Sequence, residues 1–64
     1  MTHDEVRQRM MQGLVPDTIW EGATFYKRNA RYEVEYHNKV VATGGTMKDV
    51  EIKYVQYRLG GVNV

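Results

Sequence analysis

Asp49-Val-Glu-Ile-Lys-Tyr-Val-Gln-Tyr-Arg-Leu59 is the stretch whose reading decides the architecture of this 64-residue chain. Val50, Ile52 and Tyr54 alternate with Glu51 and Lys53, and an apolar residue at every second position marks a strand with one buried face. After Tyr54 the phase moves by one, to Val55, Tyr57 and Leu59. Inside a strand such a move signals a bulge or a sharp bend, because one inserted residue sends the following side chains to the other face. Tyr32-Glu-Val-Glu-Tyr36 shows the same alternation unbroken, with Tyr32, Val34 and Tyr36 directed to a core and Glu33 and Glu35 to water.

Working outward, Arg31 to Val41 reads as the longest strand, with Val40 continuing its inner face past Asn38. Asn29-Ala30 is a tight connection from a preceding strand over Ala23 to Lys27, in which Phe25 points inward and Tyr26 outward. Val15-Pro16-Asp17-Thr18 has turn chemistry, since proline presets its own φ and pushes Val15 into an extended shape. Ile19-Trp20 follows as a very short strand. Thr43-Gly44-Gly45-Thr46 is a loop, and Gly60-Gly61 a hairpin turn into a last short strand, Val62-Asn63-Val64.

Residues 2 to 12 read as a helix. Thr2 caps it, Glu5 three residues on completes a capping box, Asp4 and Glu5 suit its positive end, and Gly13 ends it. Val6, Met10 and Leu14, with Met11, form an apolar stripe expected to dock on the sheet. The sum is one α+β domain over 1–64: a helix within 1–14 and antiparallel β structure over 15–64. The favoured form is a strongly bent sheet, an SH3-like partly open barrel with the helix across one end; a flat three-stranded antiparallel sheet backed by the helix is the alternative.

Composition bounds the function. A chain this short forms one domain with little core to spare for a deep pocket. With no cysteine, no disulfide framework or cysteine-based zinc site supports it. No apolar run approaches a membrane span, and Asp4, Glu5, Arg7 and Arg9 stand where a signal peptide needs an apolar stretch, so a soluble, cytoplasmic protein is expected. Nine basic residues against eight acidic ones argue against a general attraction to nucleic acid or anionic lipid. The basic excess lies after residue 26, densest at Lys27, Arg28 and Arg31.

The side chains offer three classes of site. Lys27, Arg28 and Arg31 beside Tyr26 and Tyr32 could bind single-stranded nucleic acid, the rings stacking on bases and the cations meeting phosphates. His37 on a strand face with Glu33 and Glu35 is a conceivable imidazole–carboxylate pair, but also what a solvated strand face looks like. Nucleophilic catalysis has no footing, since the chain has neither Cys nor Ser and its threonines fall at caps, turns and strands. Neither catalytic nor metal-ligating residues are assigned, and no cofactor is expected. Protein binding is the third class. Five tyrosines, a tryptophan, a phenylalanine and four methionines exceed what one small core buries comfortably, and these residue types are enriched in interfaces. Val55, Tyr57 and Leu59 after the phase shift, with Met10, Met11 and Trp20, are the expected contact residues for a partner protein or a second copy.

Thr18-Ile19-Trp20, Tyr26, Tyr32-Glu33-Val34 and the later Tyr57-Arg58 resemble the small SH3-like proteins of bacteria and their phages, which run tryptophan, Tyr-x-Val, a variable loop, then Val-Tyr-Arg. That family usually finishes with a tryptophan and an Arg-Pro pair, where this chain has Val62-Asn63-Val64. The resemblance implies a barrel-like fold and a phage or bacterial accessory setting, and no activity. The expectation is therefore a non-enzymatic interaction module that binds and modulates a partner protein, with nucleic-acid binding as the alternative.

Overall fold

A computed structural model describes residues 2–60. In chain order it contains α1 (His3–Met11), a single 3₁₀ turn (Asp17–Trp20), β1 (Ala23–Arg28), β2 (Arg31–Tyr36), β3 (Lys39–Gly44) and α2 (Met47–Leu59). The strands form one open antiparallel sheet in the order β1-β2-β3. The class is α+β, and the architecture formed is the alternative one, an open three-stranded antiparallel sheet.

Asp49 to Leu59 is a helix, which corrects the strand reading and removes the barrel. Thr46 caps it, its hydroxyl accepting the Asp49 amide at 3.0 Å. Val50, Ile52, Tyr54 and Val55 are all buried. Spaced two, two and one apart, they spread around the helix instead of forming a stripe, because α2 packs on β3 and β2 with one flank and receives α1 on another. A helix covered on two sides needs apolar residues on both, and alternating Val-Glu-Ile-Lys-Tyr supplies them with a period that imitates a strand. The shift between Tyr54 and Val55 is no bulge: Tyr54 stands four residues from Val50 and Val55 three from Ile52, both helical spacings.

The expected long strand from Arg31 to Val41 is two strands. His37 and Asn38 have φ of 55° and 63°, as Asn29 and Ala30 have 53° and 65°, so two left-handed two-residue turns make consecutive hairpins. A two-residue turn sets its flanking residues, Tyr36 and Lys39, opposite each other on one face, so the alternation changes phase across it. Past it, Val40 lies opposite Glu35 on the uncovered face and is exposed, not on the inner face. Val41 is the extra residue where the register slips between Val34 and Glu35.

α1 carries the expected capping box: the Thr2 amide donates to Glu5 Oε1 at 2.8 Å and the Glu5 amide to Thr2 Oγ1 at 3.2 Å. Among the elements it docks on α2, not across the sheet as expected. Val6 is fully buried and Met10 packs on the core, but Gly13, at φ 72°, turns the chain so that Leu14 is exposed, and Met11 faces solvent. Ile19-Trp20 is part of the 3₁₀ turn and not a strand. Gly44 is buried at the end of β3, where a Cβ would stand 2.6 Å from Asp49 Oδ2 and 3.2 Å from the Val50 amide, so its lack of a side chain lets α2 start close to the sheet. Gly60 caps α2, and the expected last strand over 62–64 lies outside the described residues.

Candidate functional site

The inner face of the sheet is built on Ala23, Phe25, Tyr32, Val34, Tyr36 and Ala42. Tyr54 of α2 is its centre: fully buried, with its ring 5.6 Å from Trp20, 5.7 Å from Phe25 and 6.0 Å from Tyr36. Such tilted and edge-on aromatic pairs each add a fraction of a kcal/mol to about 1.5 beyond their burial. The Tyr54 hydroxyl donates to the Ile19 carbonyl. Arg58, one helical turn later, donates from Nη1 to the same carbonyl at 2.6 Å and to Tyr54 Oη at 2.7 Å. Its guanidinium also lies 4.5 Å from the centre of the Tyr36 ring. One arginine thus ties α2, the 3₁₀ turn and β2 together, its charge held between rings and a carbonyl.

Beside this hub the last turn of α2 reaches the surface. Tyr57 and Leu59 are each 38% exposed, and the Tyr57 ring is braced at 6.5 Å and nearly perpendicular to Tyr36. Of the expected contact residues, these two are grouped at the surface. Val55 is wholly buried and Trp20 and Met10 pack against the core, so those three hold the fold together. Met11, 79% exposed, stands at the end of α1, with Leu14 exposed after it. Glu5, Gln8, Arg9, Gln12 and Leu14 line an open groove along α1.

The expected nucleic-acid cluster is divided by the sheet. Alternation places Tyr26, Arg28 and Arg31 on the uncovered face, and Lys27 and Tyr32 on the helix-covered one, the lysine 5.6 Å from the Tyr32 ring centre. On the uncovered face Tyr26 sits directly opposite Glu33, with Arg28 5.5 Å from its ring centre and 3.9 Å from Glu33 Oε1. Tyr26 Oη and Glu33 Oε1 are both shielded from solvent, near each other without a well-aligned hydrogen bond. The facing carboxylate, followed by desolvation, raises the Tyr26 pKa above the ordinary phenol value. Glu35 extends the acidic side of this face.

His37 lies in the left-handed turn, its ring 4.1 Å from that of Tyr36, and so does not share a strand face with Glu33 and Glu35 as expected. Among the described residues no group of three or more histidine or acidic side chains is placed to hold a metal ion, and no helix is long and apolar enough to cross a membrane. Arg58 is the residue the sequence reading missed. Its signal was the i,i+4 spacing from Tyr54, visible only once the segment is read as a helix.

No family model matches the chain, and neither a curated protein nor a solved structure does.

Proposed function

We propose that this chain is a small non-enzymatic interaction module that docks on a partner protein through the last turn of α2, with Tyr57 and Leu59 as the contact residues. The bacterial or phage accessory setting belongs to the same proposal. One observation carries it: Tyr57 is an exposed aromatic on a rigid support, its ring set against Tyr36 and next to an arginine anchored at three points. Aromatic side chains with few rotatable bonds, already ordered before binding, lose little entropy on association and dominate interface energetics.

Nucleic-acid binding ranks second because its cations and rings are split between two faces, and Glu33 and Glu35 stand beside Tyr26 where phosphates would approach. The test is affinity capture with the wild type and with the double variant Tyr57→Ala/Leu59→Ser. A specific protein retained by the wild type, lost by the variant and kept by Arg28→Glu/Arg31→Glu supports the reading. Binding of short oligonucleotides at low salt that Arg28→Glu/Arg31→Glu abolishes would replace it.

A further inference from the structure

We propose that the free edge of β1 is a self-association site, where a second copy of the chain adds its own β1 antiparallel to the first and joins the two sheets into one. The inference stands apart from the reading of Tyr57 and Leu59.

β1 and β3 are the two edges of the sheet, and they are not equivalent. β3 is blunted: Val41 breaks its register, and Lys53 of α2 reaches over to donate to the Thr43 carbonyl at 2.9 Å, a group on the outer rim of that strand. Bulges and lysines are the usual guards of a sheet edge. β1 has neither. It pairs with β2 at six consecutive positions without irregularity, and among the described residues no strand pairs with its other side.

In a two-residue hairpin the pair flanking the turn exchanges both backbone bonds, so Arg28, Tyr26 and Thr24 bond to β2. Ala23, Phe25 and Lys27 therefore point their N–H and C=O groups outward. These three positions are self-complementary. With Phe25 on a two-fold axis opposite its own copy, Ala23 falls opposite Lys27, and every outward donor meets an outward acceptor. The same register puts Thr24 opposite Tyr26 on the uncovered face and faces the two half-buried Phe25 rings across the seam.

Charge fits the same register. Exposed Lys27 and Arg28 of one copy are kept away from their own equivalents and arrive at the other end of the partner strand, beside its exposed Glu21. A slip of one residue loses the match of donors and faces, so the pairing is specified. The result is an isologous interface, the commonest form of homodimer.

Sedimentation equilibrium across a concentration series tests this. The wild type should approach twice the 7.5 kDa chain mass. Lys27→Pro removes an outward N–H and leaves the bonds to β2, so with one hydrogen bond lost per copy it should weaken dimerisation roughly thirtyfold. Glu21→Lys, at an exposed site, should also weaken it, and Glu21→Lys/Lys27→Glu should restore it. A wild type that stays monomeric at its highest soluble concentration overturns the proposal, as does a dimer indifferent to these substitutions. Either result leaves partner capture through Tyr57 to be judged on its own outcome.

Discussion

Replacing Tyr54 with phenylalanine removes one atom from the centre of the molecule and tests how the hub is held. The ring keeps its packing against Trp20, Phe25 and Tyr36, so no cavity of consequence opens. Lost are the hydroxyl's bond to the Ile19 carbonyl and the bond it accepts from Arg58. Neither partner is orphaned, because Arg58 still donates to Ile19. The expected cost is that of two net hydrogen bonds, about 1–3 kcal/mol, without the added penalty of a buried unsatisfied group. In a domain of this size that lowers the Tm by roughly 4–8 °C per kcal/mol. Tyr54→Ala, by contrast, deletes a fully buried ring at about 3–5 kcal/mol, a large share of the ~3–10 kcal/mol such a chain commands.

Urea unfolding followed by Trp20 fluorescence reads the effect directly, since that indole lies 5.6 Å from the Tyr54 ring. A cycle with Arg58→Met should give a coupling of about 1 kcal/mol. A loss below ~0.3 kcal/mol for Tyr54→Phe, or additive effects of the two substitutions, would show that the hydroxyl and guanidinium are not working as a unit.

Ala30 has a φ of 65° in the β1–β2 turn, a conformation that a Cβ disfavours, so Ala30→Gly should stabilise by about 0.5–1 kcal/mol and raise the Tm. Gly44→Ala should cost about 1–3 kcal/mol, as the new methyl meets Asp49 Oδ2 and the Val50 amide and pushes α2 off the sheet. Glu5 has its pKa lowered below the ordinary glutamate value, first by the Thr2 amide it accepts from. A depressed folded value means that the stabilisation from the carboxylate is full above the unfolded pKa and fades as pH falls through the folded one. The stability difference between wild type and Glu5→Ala should therefore shrink on acidification, with the Glu5 carboxyl resonance titrating below that of a free glutamate.

What was legible in the chain was what local chemistry decides. The Thr2–Glu5 capping box, Gly13 as the end of α1, the turn at Asn29-Ala30 and the inward set Phe25, Tyr32, Val34 and Tyr36 all depend on neighbours within a few residues. What misled was tertiary. Val50, Ile52 and Tyr54 alternate because α2 is buried on two sides, a fact set by α1 and the sheet together and not by the segment itself. The local signals of a helix were nonetheless present: Thr46 three residues before Asp49, Asp49 and Lys53 four apart with an ion pair of 3.3 Å, and Arg58 in the last turn. The His37-Asn38 reversal was masked by lacking the glycine that usually marks such a turn. For the site, exposure of Tyr57 and Leu59 and burial of Val55 follow from helical geometry, so the contact set could not be sorted while the segment was read as a strand.

That helix decides both the core and the contact surface, and residue-level NMR tests it most directly. Cα chemical shifts and amide–amide contacts between successive residues from Met47 to Leu59 should form an unbroken helical run, with Tyr54 and Val55 protected from hydrogen exchange. Extended-chain shifts over Val50–Tyr57, with cross-strand contacts to β3, would contradict the account and return Tyr57 and Leu59 to a sheet.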